Sequence, residues 1–166
     1  MKKILLLLAL TCQAAIGFAD VLDLTTAKSD AIATTLTLRC FEGMGLEVVA
    51  KESEQFTIRF GGYNIGVLPM VLKDHGAQIN AYVTFKGRNK SNATSADLQA
   101  VLNKINAKYN YTSVYVDQDG DITFRYCLLF DKLLEPKLIN KWLKRVEIQT
   151  DIANSEFGDS LKPFLK

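Results

Sequence analysis

Residues 112–130 read Thr112-Ser113-Val114-Tyr115-Val116, then Asp117-Gln118-Asp119-Gly120-Asp121, then Ile122-Thr123-Phe124-Arg125-Tyr126-Cys127-Leu128-Leu129-Phe130. Two runs rich in β-branched and aromatic residues flank an Asp-Gly pair, the strongest short-range signal for a β-hairpin. In the second run Ile122, Phe124, Tyr126, Leu128 and Phe130 share one parity, so that strand presents one large apolar face. Cys127 falls on the other parity with Thr123 and Arg125.

Working outward from this hairpin, both flanks are helical. On the N-terminal side, Thr94 or Ser95 can cap a helix whose apolar face is Leu98, Val101, Leu102, Ile105 and Tyr109. On the C-terminal side, Pro136 suits a first helical turn. Leu138, Ile139, Trp142, Leu143, Val146 and Ala153 form the stripe, with an expected stop at Gly158. Further upstream, residues 46–50 and 56–60 flank a polar turn and predict a hairpin. Residues 63–72 are extended but carry Pro69, which favours a sheet edge. After the Asp74-His75-Gly76 turn, residues 79–85 form another strand. A first helix is expected over 24–41, capped by Asp23 and closed at Gly43-Met44-Gly45. This order predicts an α+β fold: an antiparallel sheet of five to six strands with its helices on one face.

The chain has 166 residues, 48% of them hydrophobic and 23% charged, which is ordinary for one globular domain with a sizeable core. Its first residues differ from the rest. Lys2 and Lys3 precede an apolar run from Ile4 to Leu10, and Gly17 and Ala19 stand at the small-residue positions of a cleavage site. Residues 1–19 are therefore expected to be a signal peptide and 20–166 a single domain, periplasmic or secreted. Thr11, Cys12 and Gln13 interrupt the run well short of the roughly 20 apolar residues of a bilayer span, so no stable membrane insertion is expected. Ala9-Leu10-Thr11 lacks the order that precedes a lipidated cysteine.

The two lysines lost with that segment reduce 20 Lys and Arg to parity with 18 Asp and Glu. A formally neutral domain lacks the charge that drives nonspecific nucleic-acid binding, so no nucleic-acid partner is expected. Cys40 and Cys127 remain. They are expected to be free thiols, because Cys127 lies on the sheet face opposite the large apolar set and Cys40 belongs to the first helix.

Three pieces, a helix running into Met44-Gly45-Leu46-Glu47-Val48, the 97–122 helix–strand–acidic-turn–strand pattern, and the final amphipathic helix reaching Phe157, resemble the YbjN family of bacterial sensory-transduction regulators. The order of elements is similar to the type III secretion chaperone-like fold. The resemblance spans roughly residues 24–157 and implies a non-catalytic binding, chaperone-like or regulatory module. It supplies no catalytic residues. The sequence departs from the family pattern in carrying Lys104-Ile105-Asn106 where many members have Trp-Asn.

Candidate chemistry is sparse, and no cofactor is expected. His75 is the sole histidine and sits in a turn. The alternative function, a small periplasmic hydrolase or lipid-handling protein, would use His75 with Asp74. Asp117, Asp119 and Asp121 imitate the start of a calcium loop, but the sixth and twelfth positions are Ile122 and Leu128 rather than glycine and glutamate. No metal site is expected. Lys137, Lys141, Lys144 and Arg145 read as a solvated helix face. The expected partner is a protein or peptide docked on the sheet face or edge, and a free sheet face leaves room for a homodimer.

Overall fold

The computed structural model describes residues 20–110 and 112–166; the expected signal peptide lies outside the described residues. Strand β1 (Leu22–Asp23) leads to α1 (Asp30–Gly43), then to β2 (Glu47–Lys51), β3 (Phe56–Phe60), β4 (Tyr63–Val71) and β5 (Ala77–Phe85). Next come α2 (Ala96–Lys108), β6 (Thr112–Val116), β7 (Ile122–Phe130), β8 (Leu133–Leu134) and α3 (Pro136–Leu161). The main sheet has six antiparallel strands in the order β2-β3-β4-β5-β7-β6, and β1 pairs with β8 apart from it. This is the expected α+β architecture.

Period-two alternation positions the core. Ile58 on β3, Ile65 and Val67 on β4, Ile79, Ala81 and Val83 on β5, and Phe124 and Tyr126 on β7 are all buried in one cluster with residues of the three helices. The helices therefore share one sheet face, and among the described residues the other face carries none.

Three sequence expectations need correction. The first helix starts at Asp30, not near residue 24. Asp23 is spent on a local turn, its Oδ1 accepting from the Thr25 backbone N–H at 2.8 Å and from the Thr25 hydroxyl at 2.6 Å. Ser29 is the true cap, accepting from the Ile32 N–H at 3.4 Å. Second, β4 is an inner strand despite Pro69. Its pairing with β3 ends at Val67, so residues 68–71 overhang that neighbour. Leu72 donates towards β5, to the Gly76 carbonyl, whereas Val71 donates away from it, to Asp30 Oδ1. Pro69 shares the parity of Val71, so its missing N–H falls on the overhang, where no ladder bond is lost.

Third, α3 passes through Gly158 to Leu161. A Cβ at Gly158 would meet nothing within 4 Å. Gly158→Ala is therefore expected to stabilise the protein by about 1 kcal/mol, read as a rise in the urea midpoint. A fall would mean that the helix ends there. Within the stripe, Ile139, Leu143 and Val146 are fully buried, Trp142 sits at the core margin, and Leu138 is exposed rather than part of the core.

Candidate functional site

The helix-free face is assembled from side chains that alternate with the core. The register places Gly66 beside Tyr82, Leu68 beside Asn80, Tyr82 beside Arg125, Asn80 beside Cys127, Ser113 beside Arg125 and Tyr115 beside Thr123. Gly66, Leu68, Tyr82, Thr84, Tyr115 and Thr123 line an open hollow of about 520 Å³. Gly66 leaves its floor low beside the Tyr82 stem.

Arg125 stands at the margin of this hollow between two phenols. Its Nε donates to Asn80 Oδ1 at 3.2 Å. Asn80 is itself buried and reaches Met70 Sδ with its Nδ2 at 3.4 Å. A buried amide thus fixes an exposed guanidinium, the arrangement that holds a binding group in place. Burial pushes the Tyr82 phenol above its ordinary pKa, while the Arg125 charge pulls it partly back. The same two effects act on Tyr115. Both rings are neutral hydrogen-bond donors at neutral pH. Among the described residues no carboxylate forms an ion pair with Arg125, whereas Arg59 at the other end of this face is paired with Glu47 at 3.5 Å. A partner can therefore supply the acid.

Of the residues that sequence reading singled out, Asp117 lines the hollow beside Tyr115, and the others do not. Asp74 and His75 occupy an exposed 3-10 turn (Lys73–His75) joining β4 to β5, and neither lines the hollow. His75→Ala is expected to leave the unfolding midpoint within about 0.5 kcal/mol of the parent. It should also leave partner capture unaltered, and loss of capture would return this turn to the functional site.

Asp117, Asp119 and Asp121 are architectural. Asp117 Oδ1 accepts from the N–H groups of Asp119 (2.9 Å) and Asp121 (3.0 Å), closing the hairpin turn. Asp121, nearly buried, accepts from Lys86 Nζ at 2.6 Å and from the Gly87 N–H at 2.8 Å. These bonds hold its carboxyl below the usual carboxylate range. A depressed folded pKa means stability present above the unfolded value of about 3.9 and lost as pH falls through the folded one. Asp121→Asn should therefore flatten the stability-against-pH curve below about pH 4; an unchanged slope would remove Asp121 from that role.

The two thiols are free, as the strand parity requires: Cys40 is buried and Cys127 exposed. Desolvation raises Cys40 to about 11 and also raises Cys127, so neither is an activated nucleophile at neutral pH. Asn92, one of three asparagines in glycosylation-like triplets, is buried and donates to the carbonyls of Gly120 (3.0 Å) and Phe164 (2.8 Å).

Residues 28–158 match the YbjN family, described as "Putative bacterial sensory transduction regulator". The chain belongs to the YbjN family. A crystal structure of E. coli YbjN, described as "a putative transcription regulator", is similar with a TM-score of 0.55 and 16% identity. The likeness covers 78% of this chain and 93% of that one, and at this identity it speaks for the fold alone. No curated protein matches the chain. The YbjN match contains every residue of the helix-free face named above and ends before Lys162–Phe164. Sequence reading missed Asn80, Tyr82 and Tyr115 as a site. The available signal was the polar parity Gln78, Asn80, Tyr82, Thr84 in an otherwise apolar strand.

Proposed function

We propose that this YbjN member is a non-catalytic regulatory module that binds a protein partner on the helix-free sheet face, through a carboxylate or acidic segment seated on Arg125 between Tyr82 and Tyr115. The observation that carries the reading is an exposed guanidinium held by a buried amide and flanked by two neutral phenols, with no carboxylate ion-paired to it among the described residues. Tyrosine and arginine are the residue types that dominate binding energy in interfaces. The family's description as a regulator supports the same reading.

Export belongs to this proposal: Lys2, Lys3, the apolar run to Leu10 and Ala19 have the layout of a cleaved leader. N-terminal sequencing of the protein from cells should then begin at Asp20; a chain beginning at Met1 in the cytoplasmic fraction would oppose export. For binding, recovery of the partner on immobilised protein should fall about tenfold with Arg125→Ala, the scale of one interface hot spot. Circular dichroism should be unchanged. Equal recovery by the variant would refute the assignment of this face.

A further inference from the structure

Charge along α3 is segregated. Lys137, Lys141, Lys144 and Arg145 occupy its first half, and Glu147, Asp151, Glu156 and Asp159 its second. Lys137 and Lys141 stand four residues apart, as do Glu147 and Asp151, and like charges at that spacing repel within a helix. Lys137 in the first turn and Asp159 in the last also oppose the helix macrodipole. This order of charges costs the isolated helix, and a neighbour with the reverse order would turn it to advantage.

The solvent side of α3 presents the residues that such a neighbour meets. At about 3.6 residues per turn, Lys141, Ile148, Ile152 and Asp159 fall within about 40° of one line. That line lies about 150° around the helix from the middle of the buried stripe Ile139, Trp142, Leu143, Val146, Thr150 and Ala153. All four residues are exposed, Ile148 by 55% and Ile152 by 43%. Among the described residues neither Lys141 nor Asp159 forms an ion pair. Lys162 and Lys166 border the hollow beside Asp159 without coming into ion-pair reach. Arg145 already interacts within its own chain, as do Asp151 with Tyr63 and Glu156 with Lys108 and Tyr109.

We infer that α3 docks antiparallel on α3 of a second copy of this chain, about a two-fold axis at the level of Thr150. The line of exposed residues is self-complementary about that point: Ile148 of each copy meets Ile152 of the other, and Lys141 of each meets Asp159 of the other. The contact spans about 27 Å of helix, and it sets each macrodipole beside the opposite end of its neighbour. A parallel pair would set lysine on lysine and is excluded. Only four isoleucines form the apolar centre and exposed ion pairs add little, so the dimer is weak and its charges fix register more than strength. The helices lie across the sheet from Arg125, so this contact leaves the proposed partner face open.

Light scattering of the protein between about 10 µM and about 1 mM is expected to show the mean mass rising from monomer towards dimer. Lys141→Glu and Asp159→Lys should each weaken the dimer about tenfold, because each turns both ion pairs into like-charge contacts. Lys141→Glu also relieves the repulsion from Lys137, so its loss of dimer is not a loss of fold. Combining the two substitutions restores opposite charges and should return the affinity to within about threefold of the parent. Arg125→Ala should leave the dimer unaltered, so failure here and failure of the sheet-face reading are distinguishable. A monomer at every concentration, a dimer indifferent to both single reversals, a double variant no better than the singles, or a dimer lost with Arg125→Ala but kept with Lys141→Glu would each overturn the proposal.

Discussion

Trp142→Ala is expected to lower the stability of the protein by about 3 kcal/mol, measured as the urea midpoint by circular dichroism. The indole belongs to the single core cluster and borders a hollow with Tyr126, Leu128 and Val146. Truncation removes the transfer energy of a large aromatic and leaves a void between β7 and α3. Large-aromatic truncations span about 3–5 kcal/mol. The lower end is expected because Trp142 keeps 8% of its surface exposed while Ile139 and Leu143 keep none, so solvent can fill part of the void. Trp142→Phe should recover more than half of the loss. An unchanged midpoint for the alanine variant would mean that α3 does not rest on β7 as described.

Gly87→Ala is expected to cost about 3 kcal/mol, the upper end of the usual overpacking range. Its Cβ would overlap the Gly120 carbonyl oxygen and stand 2.9 Å from Asn92 Nδ2. The first is backbone, so no rotamer change relieves it. Gly120 itself has a φ of +83°, and a Cβ there would overlap the Asn89 carbonyl oxygen. Two backbones meet here because Asp121 and Asn92 tie the 86–94 loop to the hairpin turn. The tail adds two bonds, Arg88 donating to Phe164 and Lys166 to Lys86. Separating them costs a buried network rather than one contact. A Gly87→Ala midpoint equal to that of the parent would contradict this close approach.

What could be read from sequence was local. The β6–β7 hairpin, the Ser95 cap with its 3.2 Å bond to the Leu98 N–H, and the buried parity of β7 all follow from patterns a few residues long. The start of α1 was missed because Asp23 and Ser29 are both cap-type residues, and the choice between them depends on β1 pairing with β8 more than a hundred residues away. Pro69 marked a real edge, but only of the overhang beyond β3. The candidate site depends on the longest-range fact of all. Tyr82 meets Arg125 only because β5 skips β6 and pairs with β7, although α2 and β6 separate the two strands in sequence. Nothing in the spacing of Asn80, Tyr82, Tyr115 and Arg125 announces that register. The polar parity of β5 told of a solvent-facing side, not of what stands beside it.

The central claim is that the helix-free face is where the partner sits, and site-specific photocrosslinking in growing cells tests it most directly. With the photoreactive residue placed at Tyr115, exposed on that face, one discrete crosslinked protein is expected. It should disappear when Arg125→Ala is added, and the same probe at Lys104, on the exposed side of α2, should give none. No product from Tyr115, or products of equal intensity from Tyr115 and Lys104, would contradict the account.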